Sequence, residues 1–576
     1  DHQGLGQALS IARQKIDCDA REPLQFAPVE SPEQALEILK QAITTAQLCH
    51  QAALAPLKRS EIQEFSRSLY PVFAGENKVG HTLARISTGK RFCQTLEKLD
   101  RSALLSAAEA LVPLASPELL DQLAALPEAD QVAVTGVTGR VVREVVTPAG
   151  NIVIGGREKN TYQLDNMRDV SVVIDLGGGD VYYEGTVSLA RPVLVVIDLE
   201  GNDVYQGSKP GIQGSAVLGI SMLLDAEGDD VYHAADVAQG SCLAGVGILI
   251  DNGGDDSYRG IRRIQGQAVA GVGILLDRGG NDRYRGALWA QGLGGPLGFG
   301  VLDDLQGEDH YYGGGRYINS YLDDEDSPTP GYEGWSQGMG GGLRAVSNGG
   351  IGVILDGGGD DVYEFDYLSH GGGYWLGVGF ARDFGGNDRR LGATLKAFDG
   401  RERTQRRYQR FGTGFGCHYA LGFCFDDEGD DTYNGTIMGI GFAWDCSVGA
   451  LCDFGGNDRY EASGSTTRGV GAQASLGILY DYNGDDEYVG TRGQGYASSG
   501  ISYHDLPRCG GNFSFVVDYG GEDKYGCRAK NNSVNRRYSS GGFLIDRPAR
   551  GSEAKDENEE EDDDSEIAST KAAAKS

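Results

Sequence analysis

The sequence predicts a mainly β chain: a parallel β-solenoid of about 26-residue repeats, preceded by a small α-helical domain and followed by a disordered acidic C-terminal tail. Three observations predict it. The motif D-x-x-G-x-D-x-Y returns along the chain at near-constant spacing, with 26 residues from Asp225 to Asp251 and again from Asp251 to Asp277. A second register keeps the same period: Gln213, Gln239, Gln265 and Gln291 lie 26 apart, each followed by glycine. The runs that enter the motif ("SMLLD", "GILID", "GILLD", "GVILD", "GILYD", "FVVD") are too short and too closely bounded by glycine for helices, and read as strands.

Taken in chain order, residues 1–130 carry helical spacing. "SPEQALEILKQAITTAQLCHQAAL" opens with Ser31 as N-cap and Pro32 at the first helical position; "SPELLDQLAAL" repeats that opening with Ser116 and Pro117; "DRSALLSAAEALVPL" is a third helix. Residues 131–170 form a β-rich junction, with "GRVVREVV" and "NIVIGG" as strands. The repeats occupy 171–550, and Asp546 starts a truncated copy. The 52-residue gap from Asp304 to Asp356 reads as two turns with one copy degenerated. The gaps of 43 after Asp383 and 37 after Asp481 read as loop insertions. Residues 551–576 include "SEAKDENEEEDDDSE", too charged and too poor in apolar residues to order. An antiparallel array with one hairpin per repeat competes with the solenoid, because Gly-Asn-Asp and Gly-Asp-Asp also make hairpin turns. Near-constant register favours stacking.

Stacked coils put equivalent residues about 4.8 Å apart. Leu, Ile and Val then fill the interior, the glutamines form an amide ladder, and the tyrosines of the motif stack as a second ladder. That ladder runs through Tyr182, Tyr205, Tyr232, Tyr258, Tyr284, Tyr311, Tyr363, Tyr433, Tyr460, Tyr488 and Tyr525, with Arg390 breaking it in the copy at Asp383.

The aspartates make two columns, which are the candidate metal ligands: Asp175, Asp198, Asp225, Asp251, Asp277, Asp304, Asp356, Asp383, Asp426, Asp453, Asp481 and Asp518 in the first, and Asp180, Asp203, Asp230, Asp256, Asp282, Asp309, Asp361, Asp388, Asp431, Asp458, Asp486 and Asp523 in the second. Two carboxylates one coil apart repel by roughly 3 kcal/mol at an effective dielectric near 20. Compensation has three candidate sources: backbone N–H groups of the turn, interleaved Arg or Lys (Arg278, Arg283, Arg389, Arg459, Lys524), or bound cations. Calcium suits the pattern because it takes six to eight oxygen ligands, and glycines in the turn let carbonyls point inward. The Asn or Asp that precedes the second aspartate tolerates left-handed backbone as well. The plainer alternative is that the aspartates cap their own turns.

"GGNDRY" (279–284 and 455–460) and "GGDDSY" (253–258) resemble the second half of the repeats-in-toxin nonapeptide, G-G-x-G-x-D-x-hydrophobic. The resemblance implies a calcium-loaded parallel β-roll in a secreted protein, with the ion held between turns by the aspartates matching Asp256, Asp282 and Asp458. The period here is 26 rather than nine, and Asp277-Arg278 stands where that repeat has its leading Gly-Gly.

A formal net charge of −32 disfavours nucleic acid and anionic membrane and favours cations. No run of 18 apolar residues is present. The first residue is Asp1, as in a processed secreted protein, a fragment or a trimmed chain. Ten cysteines include no C-x-x-C pair, and Cys509 with Cys527 is a candidate local disulfide alongside buried free thiols. No nucleophile–base pair, phosphate loop or histidine cluster is present, and His50 and His81 stand alone.

Three irregular stretches interrupt the period: 312–350, with Tyr317, Tyr321, Tyr332 and Trp335 beside acids; the basic 400–411, with Arg401, Arg403, Arg406, Arg407 and Arg410; and 489–515, with Tyr496, Tyr503 and His504. The expected function is a non-enzymatic, calcium-binding extracellular or cell-surface scaffold or adhesin, with polysaccharide or other surface proteins as partners. The alternatives are a polysaccharide-active β-solenoid enzyme using the 400–411 patch, and a metal-free structural rod.

Overall fold

The computed structural model describes residues 2–19, 28–73, 86–128, 131–319, 331–344, 346–403, 411–435, 438–462, 467–491, 494–495, 512–538 and 542–549. Each repeat is one coil of a parallel solenoid. The six-residue runs that end in the first aspartate build a 16-stranded sheet, and the short runs around the tyrosine build a 15-stranded sheet. Two-residue strands such as Cys242–Leu243 and Ala268–Val269 make a third wall. Register is strict: Asp225 lies between Asp198 and Asp251, and Tyr232 between Tyr205 and Tyr258.

The first sheet ends in antiparallel strands. Val141–Val145 pairs antiparallel with Asn151–Gly155 at one end, and Val534–Tyr538 with Gly542–Arg547 at the other.

Three sequence expectations change. The 52-residue gap is a single coil, since Phe299–Asp304 pairs directly with Ile351–Asp356. The extra length falls in two places, between His310–Gly313 and Glu333–Ser336 and between Gly340–Gly341 and Ile351–Asp356, so its coincidence with twice the period is accidental. The interior is not filled by the whole apolar run. Side chains alternate along a strand, so Gly247, Leu249 and Asp251 face inward while Val246, Ile248 and Ile250 face outward. The coil is so thin at this point that a Cβ on Gly247 would overlap the carbonyl oxygen of Ser241.

The glutamines also do not bond one another. Gln239 holds left-handed backbone at φ 57°. Its Nε2 donates to the carbonyls of Tyr232 at 3.0 Å and Arg259 at 3.2 Å. The Oε1 atoms of Gln213, Gln239, Gln265 and Gln291 accept nothing.

The N-terminal helices explain why the runs are apolar on both faces. They are α1 (His2–Lys15), α2 (Pro32–Leu54), α3 (Arg59–Phe73), α4 (Ile86–Leu96), α5 (Arg101–Glu109) and α6 (Pro117–Ala124). Ser31 and Ser116 accept from the N–H groups of Gln34 and Leu119, as N-caps do. α2 packs on Val193–Asp198, α5 on Ile220–Asp225 and Val246–Asp251, and α1 on Val272–Asp277. His50 is buried in that junction, with Nε2 3.0 Å from the Leu218 carbonyl oxygen. A buried ion pair, Arg13 to Glu109 at 2.7 Å, ties α1 to α5. No single described helix is long and apolar enough to cross a membrane.

Candidate metal centre: the aspartate columns

The motif folds locally because its glycines take backbone that other residues avoid. Gly280 sits at φ 151°, and a Cβ there would overlap the carbonyl oxygen of Gly254 one coil below. The turn then holds the two aspartates at the inner corner between the first and second sheets. Both columns are fully buried along nearly their whole length, with Asp251 and Asp256 each 0% exposed.

The two columns differ in how their oxygens are used. In the first, one carboxylate oxygen caps the turn in most coils: Asp277 Oδ1 accepts from Gly279 N–H at 3.2 Å, and Asp356 Oδ1 from Gly358 N–H at 2.9 Å, whereas the Oδ1 atoms of Asp225, Asp426, Asp481 and Asp518 have no donor. The other oxygen accepts from the tyrosine of the preceding coil. Tyr258 donates to Asp277 Oδ2 at 2.7 Å, Tyr284 to Asp304 Oδ2 at 2.6 Å, and Tyr433 to Asp453 Oδ2 at 2.7 Å. The tyrosine rings stack, Tyr232 on Tyr258 at 4.6 Å and Tyr258 on Tyr284 at 4.9 Å between centroids. The stack begins one coil early, with Tyr162 on Tyr182 at 4.9 Å.

In the second column only Oδ1 is engaged, accepting the backbone N–H of the equivalent aspartate one coil back. Asp230 N–H donates to Asp256 Oδ1, Asp256 N–H to Asp282 Oδ1 and Asp282 N–H to Asp309 Oδ1, each at 2.6 Å. The Oδ2 atoms of Asp180, Asp203, Asp230, Asp256, Asp282, Asp309, Asp361, Asp431, Asp458, Asp486 and Asp523 are buried with no donor. Each faces the first-column aspartate of its own coil. Triplets of carboxylate oxygens within 4.8 Å of one another recur along the columns, Asp203, Asp225 and Asp230 forming one and Asp282, Asp304 and Asp309 another. Burial, then the charge of Asp251, drives Asp256 far above the usual carboxylate range. Burial and Asp277 do the same to Asp282. The first-column members Asp277 and Asp304 are raised by burial and by their neighbours' charge. The site therefore favours one positive species, a proton or a metal ion, for each facing pair.

One coil carries its own cation. Arg390 occupies the tyrosine position between Tyr363 and Tyr433, its guanidinium 5.2 and 5.1 Å from their ring centroids. It is ion-paired with Asp426, reaches Asp383 at 3.2 Å and Asp388 at 3.1 Å, and lies 3.7 Å from Asp431. Asp388 is the one second-column residue whose Oδ2 has a donor among those described. The rung that looked irregular in the sequence continues the ladder and neutralises both columns at once. The other basic residues of the motif do not reach the columns. Arg283, Arg389 and Lys524 are exposed, Arg278 donates to Asn252 and Arg459 pairs with Glu461 and Glu487.

Two residues that sequence reasoning missed close the second column. Asn160 precedes it, its N–H donating to Asp180 Oδ1 at 2.6 Å and its Nδ2 to Asp175 Oδ2 at 2.9 Å. Asn531 follows it, its Oδ1 accepting from Asp523 N–H at 3.2 Å. "NTY" at 160–162 is the D-x-Y of the motif with an amide for the acid, and was the available signal.

Other expectations also change. The turn carbonyls run along the stack, Gly279 O accepting from Gly254 N–H at 3.0 Å, and so do not point at the aspartates. The Asn or Asp before each second aspartate keeps ordinary backbone and forms an outer ladder, as in Asn281 N–H to Asp255 Oδ1 at 2.8 Å.

The irregular stretches hold packing contacts. Tyr317 and Trp335 are buried, with Trp335 Nε1 donating to Glu333 at 2.9 Å. Arg403 is spent on buried Asp366 at 3.1 Å and Arg401 on Asp399 at 2.7 Å. Tyr321, Arg406, Arg407, Arg410, Tyr496, Tyr503, His504, His81, Cys509 and the 551–576 tail lie outside the described residues. No disulfide forms among the described cysteines, and the Cys527 thiol donates to Gln494 at 3.0 Å.

Comparison with protein-family models, curated proteins and solved structures returns no match, so the reading of this site rests on its geometry.

Proposed function

We propose that the chain is a non-enzymatic repeat scaffold whose aspartate columns take up calcium between successive coils, in a calcium-rich extracellular or cell-surface setting. The observation that carries this reading is the row of buried, donorless Oδ2 atoms, taken with the guanidinium that meets the equivalent atom of Asp388 and pairs with Asp383 and Asp426 beside it. A carboxylate array that incorporates a fixed cation where the sequence supplies one is built for positive charge where it does not. Second-column aspartates donate one free oxygen each, and the first column adds a third carboxylate within 4.8 Å. When bound, calcium would supply charge compensation and a bridge from one coil to the next. The enzymatic alternative has less to draw on, because the described arginines of its patch, Arg401 and Arg403, are ion-paired with Asp399 and Asp366.

A second reading is favoured by the ligand count. The first-column oxygens already accept from glycine N–H and tyrosine O–H groups, and three carboxylates fall short of calcium's six to eight ligands. In this reading a proton is shared across each facing pair and the chain is a metal-free rod. Calorimetric titration of the chelated full chain with calcium, with proton release followed in weak buffer, separates the two. Several ions bound per chain, with protons displaced and a higher melting temperature, support the metal columns. No heat and no shift in melting leave the proton-bridged rod.

A further inference from the structure

The outward face of the first sheet is divided. Through the first coils it is aliphatic and buried under α1, α2 and α5, as at Val195, Met222 and Ile248. From Ile351–Asp356 onward the outward residues are mostly half-buried to exposed, Ala450 being buried, and aromatic side chains become frequent among them. Phe384, Leu421, Phe454 and Phe513 are 44%, 40%, 40% and 46% exposed. Along this face Phe425 lies tilted against Phe380 at 5.4 Å and parallel to Phe454 at 6.3 Å between centroids. The charge on it is internally paired, Arg382 with Asp427 at 2.7 Å.

We propose that this face pairs with the same face of a second copy of the chain, sheet against sheet. Three observations select that occupant. The face continues, strand for strand, the surface the chain's own helices cover, so the interface is already established in the fold and simply runs out of cover. Seven strands about 4.8 Å apart and about 20 Å long offer roughly 600 Å² per copy, and about 1,200 Å² in a pair reaches the lower bound of specific interfaces. A flat, charge-paired apolar sheet is complementary to itself at the spacing of packed sheets, whereas the rest of a chain of net charge −32 repels its own kind. A patch of this size lies at the upper end of what isolated chains expose.

The test is light scattering with size exclusion on the full chain from 1 to 100 μM, run both in calcium and in chelator so that the outcome is independent of the metal reading. A dimer is expected in both. Phe425→Lys combined with Phe454→Lys should weaken it at least 100-fold while circular dichroism and melting stay as in the parent, since both positions face outward. Phe425→Leu should retain most of the dimer. A monomer at 100 μM, or a dimer indifferent to the double substitution, overturns the pairing. A monomer that instead sediments with insoluble cellulose assigns the aromatic face to a glycan and overturns it equally.

Discussion

The coil that carries Arg390 and the coils that carry tyrosine solve one problem in two ways. Every coil buries a pair of carboxylates at the same corner. In tyrosine coils such as that of Asp277 and Asp282, hydroxyl and backbone N–H groups satisfy three of the four oxygens and leave the fourth facing another acid. In the Arg390 coil a guanidinium slides into the aromatic stack and reaches carboxylates of its own coil and the next. Its flat cation keeps the stacking that the ring provided, and adds the charge that the ring lacks. The difference shows that the corner's requirement is electrostatic, and that the aromatic ladder is compatible with more than one way of meeting it.

The widest test of this contrast is pH. In chelator the folded tyrosine coils hold protons that the unfolded chain releases near pH 4. The native state then binds more protons than the unfolded state, so stability falls as pH rises from about 4 upward, through values of about 10 at Asp256 and about 11 at Asp282. Melting temperature should drop steadily from pH 5 to pH 9 in chelator. Calcium should flatten or reverse the slope, because metal replaces the proton most readily where protons leave most easily. A melting temperature that rises with pH in chelator would contradict the shared-proton corner.

Next in size is Arg390→Met, which leaves buried carboxylates without their cation. It should cost about 3–5 kcal/mol in chelator, read by denaturant unfolding. Calcium should restore part of the loss and add at least one bound ion per chain. Tyr258→Phe removes the donor to Asp277 and should cost about 1–3 kcal/mol, with the aromatic stack intact. A loss equal to that of Arg390→Met would mean that a single hydroxyl donor to the corner counts for as much as the guanidinium's charge.

The smallest effect belongs to Asp256→Asn. The amide keeps the Oδ1 acceptor for Asp230 N–H and can donate to Asp251, as Asn160 does to Asp175. Stability in chelator should change by under about 0.5 kcal/mol, or rise, while the number of bound calcium ions falls.

The architecture was legible because stacking forces identical spacing. A period of 26 in two independent registers admits little else, and the caps at Ser31 and Ser116 announce their helices. The candidate site was legible in membership but not in use. Sequence spacing placed both aspartates of each motif at one corner. It could not show that Asp277 is spent on Gly279 and Tyr258 while Asp282 keeps an oxygen free, because the tyrosine that matters belongs to the preceding coil. Arg390 looked like a defect for the same reason, since its partners Asp426 and Asp431 arrive 36 and 41 residues later. The outward half of each strand was misassigned to the interior, because an apolar run covered on both faces carries no alternation to read.

The antiparallel strands at the two ends have a consequence for aggregation. A stack of identical in-register strands at the spacing of cross-β fibres presents, at each open end, the template on which amyloid grows. In the first sheet Val141–Val145 and Val534–Tyr538 run against the grain of the strands they cover, so a further strand added in parallel there would break the in-register pairing of equivalent residues that the repeats keep. The first sheet is in this sense a fibril segment of fixed length, its run of identical in-register strands bounded at both ends by a reversal of direction.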